Sequence, residues 1–115
     1  MLHSDLMPSM TMLFTKHVLS DDDFNVESEL NGRADHFGIC IPGKRISVVG
    51  VNDYFETVHT AAHELGHNLG VYHDGENTSI DCVAEDLFIM APSLPIFDLN
   101  VPYSRNPWLF SYCSE

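Results

Sequence analysis

His63-Glu64-Leu65-Gly66-His67-Asn68-Leu69-Gly70-Val71-Tyr72-His73 is the run around which the rest of this chain organises itself. On a helix, positions four apart lie one turn apart on one face, so His63 and His67 can present two imidazoles to a single metal ion. Glu64 follows the first of them, about a third of a turn round the helix, where it can reach a water held on that ion. The third ligand has to come from elsewhere. His59 shares roughly the same face, but about 12 Å of helix axis separates it from His67, too far to close one tetrahedral site. Gly70 supplies the alternative: a residue that tolerates positive φ can end the helix and reverse the chain, returning His73 to the metal. Three imidazoles leave the fourth position open, which marks a catalytic rather than a structural zinc. A closed structural site would need a fourth ligand, for which Asp74 and Glu76 are the only nearby candidates.

The chain has 115 residues, one domain at most, and its 44% apolar content suffices for a modest core. Seventeen acidic residues stand against five basic ones, a net charge of −12 with the histidines neutral. Such a surface repels phosphates, which argues against nucleic-acid and anionic-membrane partners. No stretch is long and apolar enough to span a bilayer. Met1 to Phe14 carries Asp5 and Pro8 and lacks a basic leading region, so it does not read as a signal peptide. The three cysteines, Cys40, Cys82 and Cys113, are not spaced as a close metal pair, and none sits beside an evident base. A bridge between Cys40 and Cys113 would close a long loop and stabilise by about 4 kcal/mol in the chain-entropy model. Cys82 would then be free, or its partner absent.

Met10 to Lys16 reads as a strand, residues 17–32 as a loop ending in the Asn31-Gly32 turn, and Arg33 to Phe37 as a short edge strand. Ile46 to Val51 is the clearest strand, β-branched and mostly apolar. Asn52 or Asp53 can cap a helix running from about Phe55 to Leu69. Residues 75–86 read as a loop, within which Asn77-Thr78-Ser79 is an N-glycosylation acceptor if the chain is secreted. Three prolines between residues 91 and 102 suit an irregular wall. Asn106-Pro107 opens a short helix through Cys113.

The run from His63 to His73 resembles the metzincin zinc endopeptidases, and the Asp74 that follows points within them to the adamalysin, or reprolysin-like, group. Phe88-Ile89-Met90-Ala91-Pro92 resembles that family's Met-turn, and Phe110-Ser111-Tyr112-Cys113-Ser114 its cysteine-bearing C-terminal helix. Gly38-Ile39-Cys40 with Ile46 to Val49, and Met10 to Thr15, are similar to strand regions ahead of the active-site helix. The sparse cysteines and the Ile-Met-Ala-Pro turn are most similar to secreted salivary metalloproteases of blood-feeding arthropods.

The resemblance implies an α+β metzincin fold: a partial mixed sheet on an active-site helix, an irregular C-terminal subdomain and a short C-terminal helix. Residues 1–115 would be one incomplete catalytic domain, begun at an internal methionine and lacking the family's first strands and helices. It further implies His63, His67 and His73 as ligands of one zinc ion, Glu64 as base and Met90 as the residue beneath the metal. Asp74 would be a structural hydrogen-bonding residue, and Cys40 would pair with Cys113. Ala91, Pro92, Ser93 and Leu94, within the segment from Ala91 to Ile96, would line the pocket for the side chain after the scissile bond. The edge strand at Gly32 to Asp35 would take up substrate backbone by β-addition, although Arg33 and Asp35 are not the apolar residues expected there. The expected activity is that of a secreted, monomeric zinc endopeptidase acting on proteins or peptides. The alternative is a zinc-binding but inactive fragment or decoy.

Overall fold

The computed structural model describes residues 10–17, 19–20, 29–92 and 106–114. Among these residues, five strands and one α-helix make an α+β arrangement: β1 (Thr11–Thr15), β2 (Leu19–Ser20), β3 (Glu29–Leu30), β4 (Gly32–Ala34), β5 (Ile46–Gly50) and α1 (Tyr54–Asn68). The main sheet is mixed and runs in the order β1-β5-β4. β1 lies parallel to β5 with Thr11 opposite Ile46 and Thr15 opposite Gly50, and β4 runs antiparallel with Gly32 opposite Val49. The expected loop at 17–32 holds a two-residue pairing, Leu19–Ser20 with Glu29–Leu30. The edge strand runs Gly32–Ala34 rather than over 33–37, and the left-handed conformation of Phe37 at φ 56° excludes that residue from any strand.

β5 is the central strand, and its side chains alternate as a pleat requires: Ser47 and Val49 are buried while Ile46 is exposed. Helix α1 packs across β5 and β4. Its start is set by Asp53, whose carboxylate accepts from the Glu56 amide at 3.0 Å; Asp at the cap and Glu three residues on also suit the positive helix end. Its end is a Schellman turn. The Val71 amide donates to the Gly66 carbonyl and the Gly70 amide to that of His67, both at 2.9 Å, with Gly70 at φ 94°. Asn68, fully buried, sends its amide to the carbonyls of Asp35 and Ile46, at 3.1 and 3.3 Å, and ties the last turn to β5 and to the residue that follows β4.

Beyond the helix the chain is irregular, with 3-10 turns at Asn77–Ser79 and Ala84–Asp86. The short C-terminal helix consists of two further such turns, Asn106–Trp108 and Tyr112–Ser114. Cys82 is bonded to Cys113, 31 residues apart, and Cys40 is free and exposed. This corrects the Cys40–Cys113 pairing. Cys40 ends the 3-10 turn at Gly38–Cys40, which leans on α1, whereas Cys113 belongs to the turn that packs against Asn77–Ser79. The C-terminal segment is also held by the Ile89 amide on the Leu109 carbonyl at 2.9 Å and by Asn106 on the Asp86 carbonyl at 2.8 Å. No helix among the described residues is long and apolar enough to cross a membrane.

Candidate metal centre

α1 places His63 and His67 one turn apart, and the reversal at Gly70 brings His73 to them. The Nε2 atoms of His63 and His67 each lie 3.1 Å from Nε2 of His73, and the three rings are the one metal-holding group found among the described residues. Gly70 is required here twice over: its φ is positive, and a Cβ on it would run into the Phe37 ring.

Two of the three rings are fixed from behind. His63 Nδ1 donates to the Ile89 carbonyl at 2.7 Å, and His67 Nδ1 to the Val71 carbonyl at 2.9 Å. Because a carbonyl only accepts, these contacts put the protons on Nδ1 and leave lone pairs on Nε2. His73 Nδ1 lies 3.4 Å from a Glu76 carboxylate oxygen. The lone pairs of His63 and His67 therefore face Nε2 of His73, a grouping of three nitrogens that one cation can hold together. Nitrogens about 2.0–2.1 Å from a tetrahedral zinc are about 3.3 Å apart, close to the spacing seen. The donor set fits zinc.

The closed-site alternative finds no support in this geometry. Asp74 is buried, its Oδ1 accepting from Ser111 at 2.7 Å and its amide donating to the Met90 carbonyl at 2.9 Å. Glu76 faces the outer nitrogen of His73 rather than Nε2. His59, buried one turn back, stacks at 6.5 Å from His63 and stays out of the cluster.

Burial sets the electrostatics. Desolvation pushes Glu64 up to about 7 and holds His63 down to about 4; His59 and His67 are lowered by the same cause. Burial thus favours the neutral form of His63 and His67, the form a metal ligand takes. Glu64 is 5% exposed, and a Cβ on Gly32 would stand 3.0 Å from its Oε1, so the carboxylate lies against the backbone of edge strand β4. Met90 is fully buried below the helix, with its sulfur 2.6 Å from where a Cβ on Gly66 would be. Only glycine allows that approach. Ala91 is buried and Pro92 is exposed, the latter bordering a cavity of about 170 Å³ with Ala84, Glu85 and Leu87. Ser93 and Leu94 lie outside the described residues.

The model of metallo-peptidase family M12, reprolysin type, matches residues 14–106. The chain belongs to metallo-peptidase family M12. Family M12 implies a peptidase, and its three-histidine site is typically a zinc site. Relatives agree with this M12 assignment. The mouse protein "A disintegrin and metalloproteinase with thrombospondin motifs 7" is 33% identical over 91 residues, 79% of this chain and 5% of that protein. Its human counterpart is 32% identical over the same length. A "Zinc metalloproteinase/disintegrin" of Gloydius halys is 32% identical over 72 residues, 60% of this chain and 15% of that protein. The M12 chain described here thus spans a small fraction of each relative's length.

Several partners of the site were not legible in the sequence. The carbonyls of Ile89 and Val71 leave no side-chain signature. Ser111 and Asn68 carry only a weak one, a polar residue inside an otherwise apolar or catalytic stretch. His36, whose ring stacks on Tyr72 at 4.1 Å and lies 6.3 Å from His67, borders the centre from the strand side.

Proposed function

We propose that this M12 domain is a zinc-dependent endopeptidase in which Glu64 is the general base. The observation that carries this reading is a buried carboxylate raised to about 7, next in sequence to the first of three convergent imidazoles. Zinc held by His63, His67 and His73 would supply Lewis acidity to the scissile carbonyl and lower the pKa of a bound water. The Nδ1 contacts keep His63 and His67 aimed and in the metal-binding tautomer. A Glu64 carboxylate oxygen takes the proton of the attacking water and afterwards hands it to the leaving amine.

Substrate binds along β4. This strand is an edge of the main sheet in the order β1-β5-β4, so an extended peptide can add to it by backbone hydrogen bonds and pass the Glu64 carboxylate at Gly32. Arg33 and Asp35 flank that path. Met90 acts as the Met-turn residue supporting the ligand turns, and Ala91, Pro92, Ser93 and Leu94 form the wall for the side chain after the scissile bond. The protein works outside the cell as a monomer on protein or peptide substrates, a location favoured by the Cys82–Cys113 bond. The narrower kinship to salivary enzymes of blood-feeding arthropods belongs to the same proposal.

Glu64→Gln tests the mechanism. The variant should bind zinc with the parent's stoichiometry while casein hydrolysis falls by about 10²–10⁴-fold, the usual contribution of a positioned acid-base group. Turnover comparable to the parent's in the chelator-sensitive fraction would refute the role of Glu64.

A further inference from the structure

We propose that Asn77 carries an N-linked glycan, on the loop that also supplies His73 and Glu76. Asn77-Thr78-Ser79 has the Asn-x-Ser/Thr form, but such triplets are common, so the weight falls on what the fold does with each member. Asn77 and Thr78 are exposed. Asn77 also has φ 47°, and tolerance of the left-handed region is enough to explain an asparagine there. It does not explain the hydroxyl two positions on.

Ser79 is 1% exposed and its Oγ has no hydrogen-bond partner. The backbone of the residue is fully used: its amide donates to Glu76, and its carbonyl accepts from Gly75 and Cys82. A buried hydroxyl left unpaired costs stability, and alanine would fill the place without that cost. The hydroxyl thus makes no hydrogen bond in the folded loop, as is also the case for Ser47 and Ser114, and it alone of the three stands at the position the glycan-transfer motif demands. Transfer acts on the extended chain, before Ser79 is buried, so the fold presents no obstacle. Three residues further on, Cys82 is in a disulfide, the mark of a chain that matures where such transfer occurs.

In the reaction the Asn77 side-chain nitrogen attacks the anomeric carbon of an oligosaccharide linked to a polyprenyl diphosphate. The new C–N bond forms as the C–O bond to the diphosphate breaks, the amide gives up one proton, and the diphosphate carrier leaves with the electron pair. The inference rests on the secretory route proposed above and is independent of zinc and of proteolysis.

The chain is expressed in insect cells behind a cleavable secretion signal, and retained and exported material are both treated with peptide N-glycosidase. The expected result is the mass loss of one glycan with Asn77 converted to Asp. Asn77→Gln and Ser79→Ala should each abolish the shift, and Ser79→Thr should keep it. Bacterially produced, unglycosylated Ser79→Ala should melt no lower than its parent. The proposal is overturned if the parent shows no shift, if the shift survives Asn77→Gln, or if Ser79→Ala lowers the melting temperature of the unglycosylated protein. Because the readout is mass, a failed glycan test leaves the peptidase reading standing, and an inactive Glu64→Gln parent pair leaves the glycan reading standing.

Discussion

The two faces of α1 invert the usual order of a surface helix. Toward the sheet and Met90 the helix buries His59, Thr60, Glu64 and Asn68, with Glu64 5% and Asn68 0% exposed. Toward solvent it shows Tyr54, Val58, Leu65 and Leu69, with Tyr54 75% and Leu69 51% exposed. A helix of this length ordinarily buries its apolar stripe. Here the inner face is polar because it carries the metal centre, and Asn68 at its end is held by the Asp35 and Ile46 carbonyls rather than by the hydrophobic effect. The comparison implies that stability resides in the inner contacts, including the ion, while the outer apolar groups contribute little in this chain.

Metal withdrawal should give the largest effect. With zinc at 1,000 times its dissociation constant, binding to the native state alone adds about 4 kcal/mol, so chelation should lower the melting temperature steeply and zinc should restore it. Equal melting with and without zinc would mean that the inner face does not depend on the ion. Next in size is the brace that holds the far wall of the centre: Cys113→Ser should cost about 3.7 kcal/mol for a closed loop of 31 residues, read from urea denaturation under oxidising conditions. Unchanged stability there would show that the Asp74–Ser111 bond and the Ile89–Leu109 contact are enough to fasten the segment. Asn68→Ala strips partners from the Asp35 and Ile46 carbonyls and should cost about 2 kcal/mol. The smallest effect belongs to the outer face, where Leu65→Lys should change stability by no more than about 0.5 kcal/mol. If Leu65→Lys proved as damaging as Asn68→Ala, the contrast between the faces would be lost.

The same division separates what was readable from what was not. β5 and α1 were legible to within a residue or two, since alternation, an Asp cap and a glycine stop act over neighbouring positions. The metal triad was legible for the same reason: two ligands follow from helix periodicity and the third from a reversal six residues away. The short pairing of Leu19–Ser20 with Glu29–Leu30 was not, because two-residue strands leave no periodicity to detect. The cysteine partners were misread as well. A loop-entropy argument ranks how much a bridge stabilises once formed, and says nothing of which thiols meet.

From the sequence alone came the elements of the centre: a capped helix, His63 and His67 on one face, Glu64 beside them and a reversal at Gly70 that returns His73. All of these are set by forces reaching one or two helical turns. Tertiary structure alone decided that Cys113 bonds to Cys82, that Ile89 orients His63, that Met90 lies beneath Gly66, and that Glu64 is buried deeply enough to rise to about 7. Those outcomes depend on which distant segments exclude water from one another, and that is a property of the packed chain rather than of any window along it.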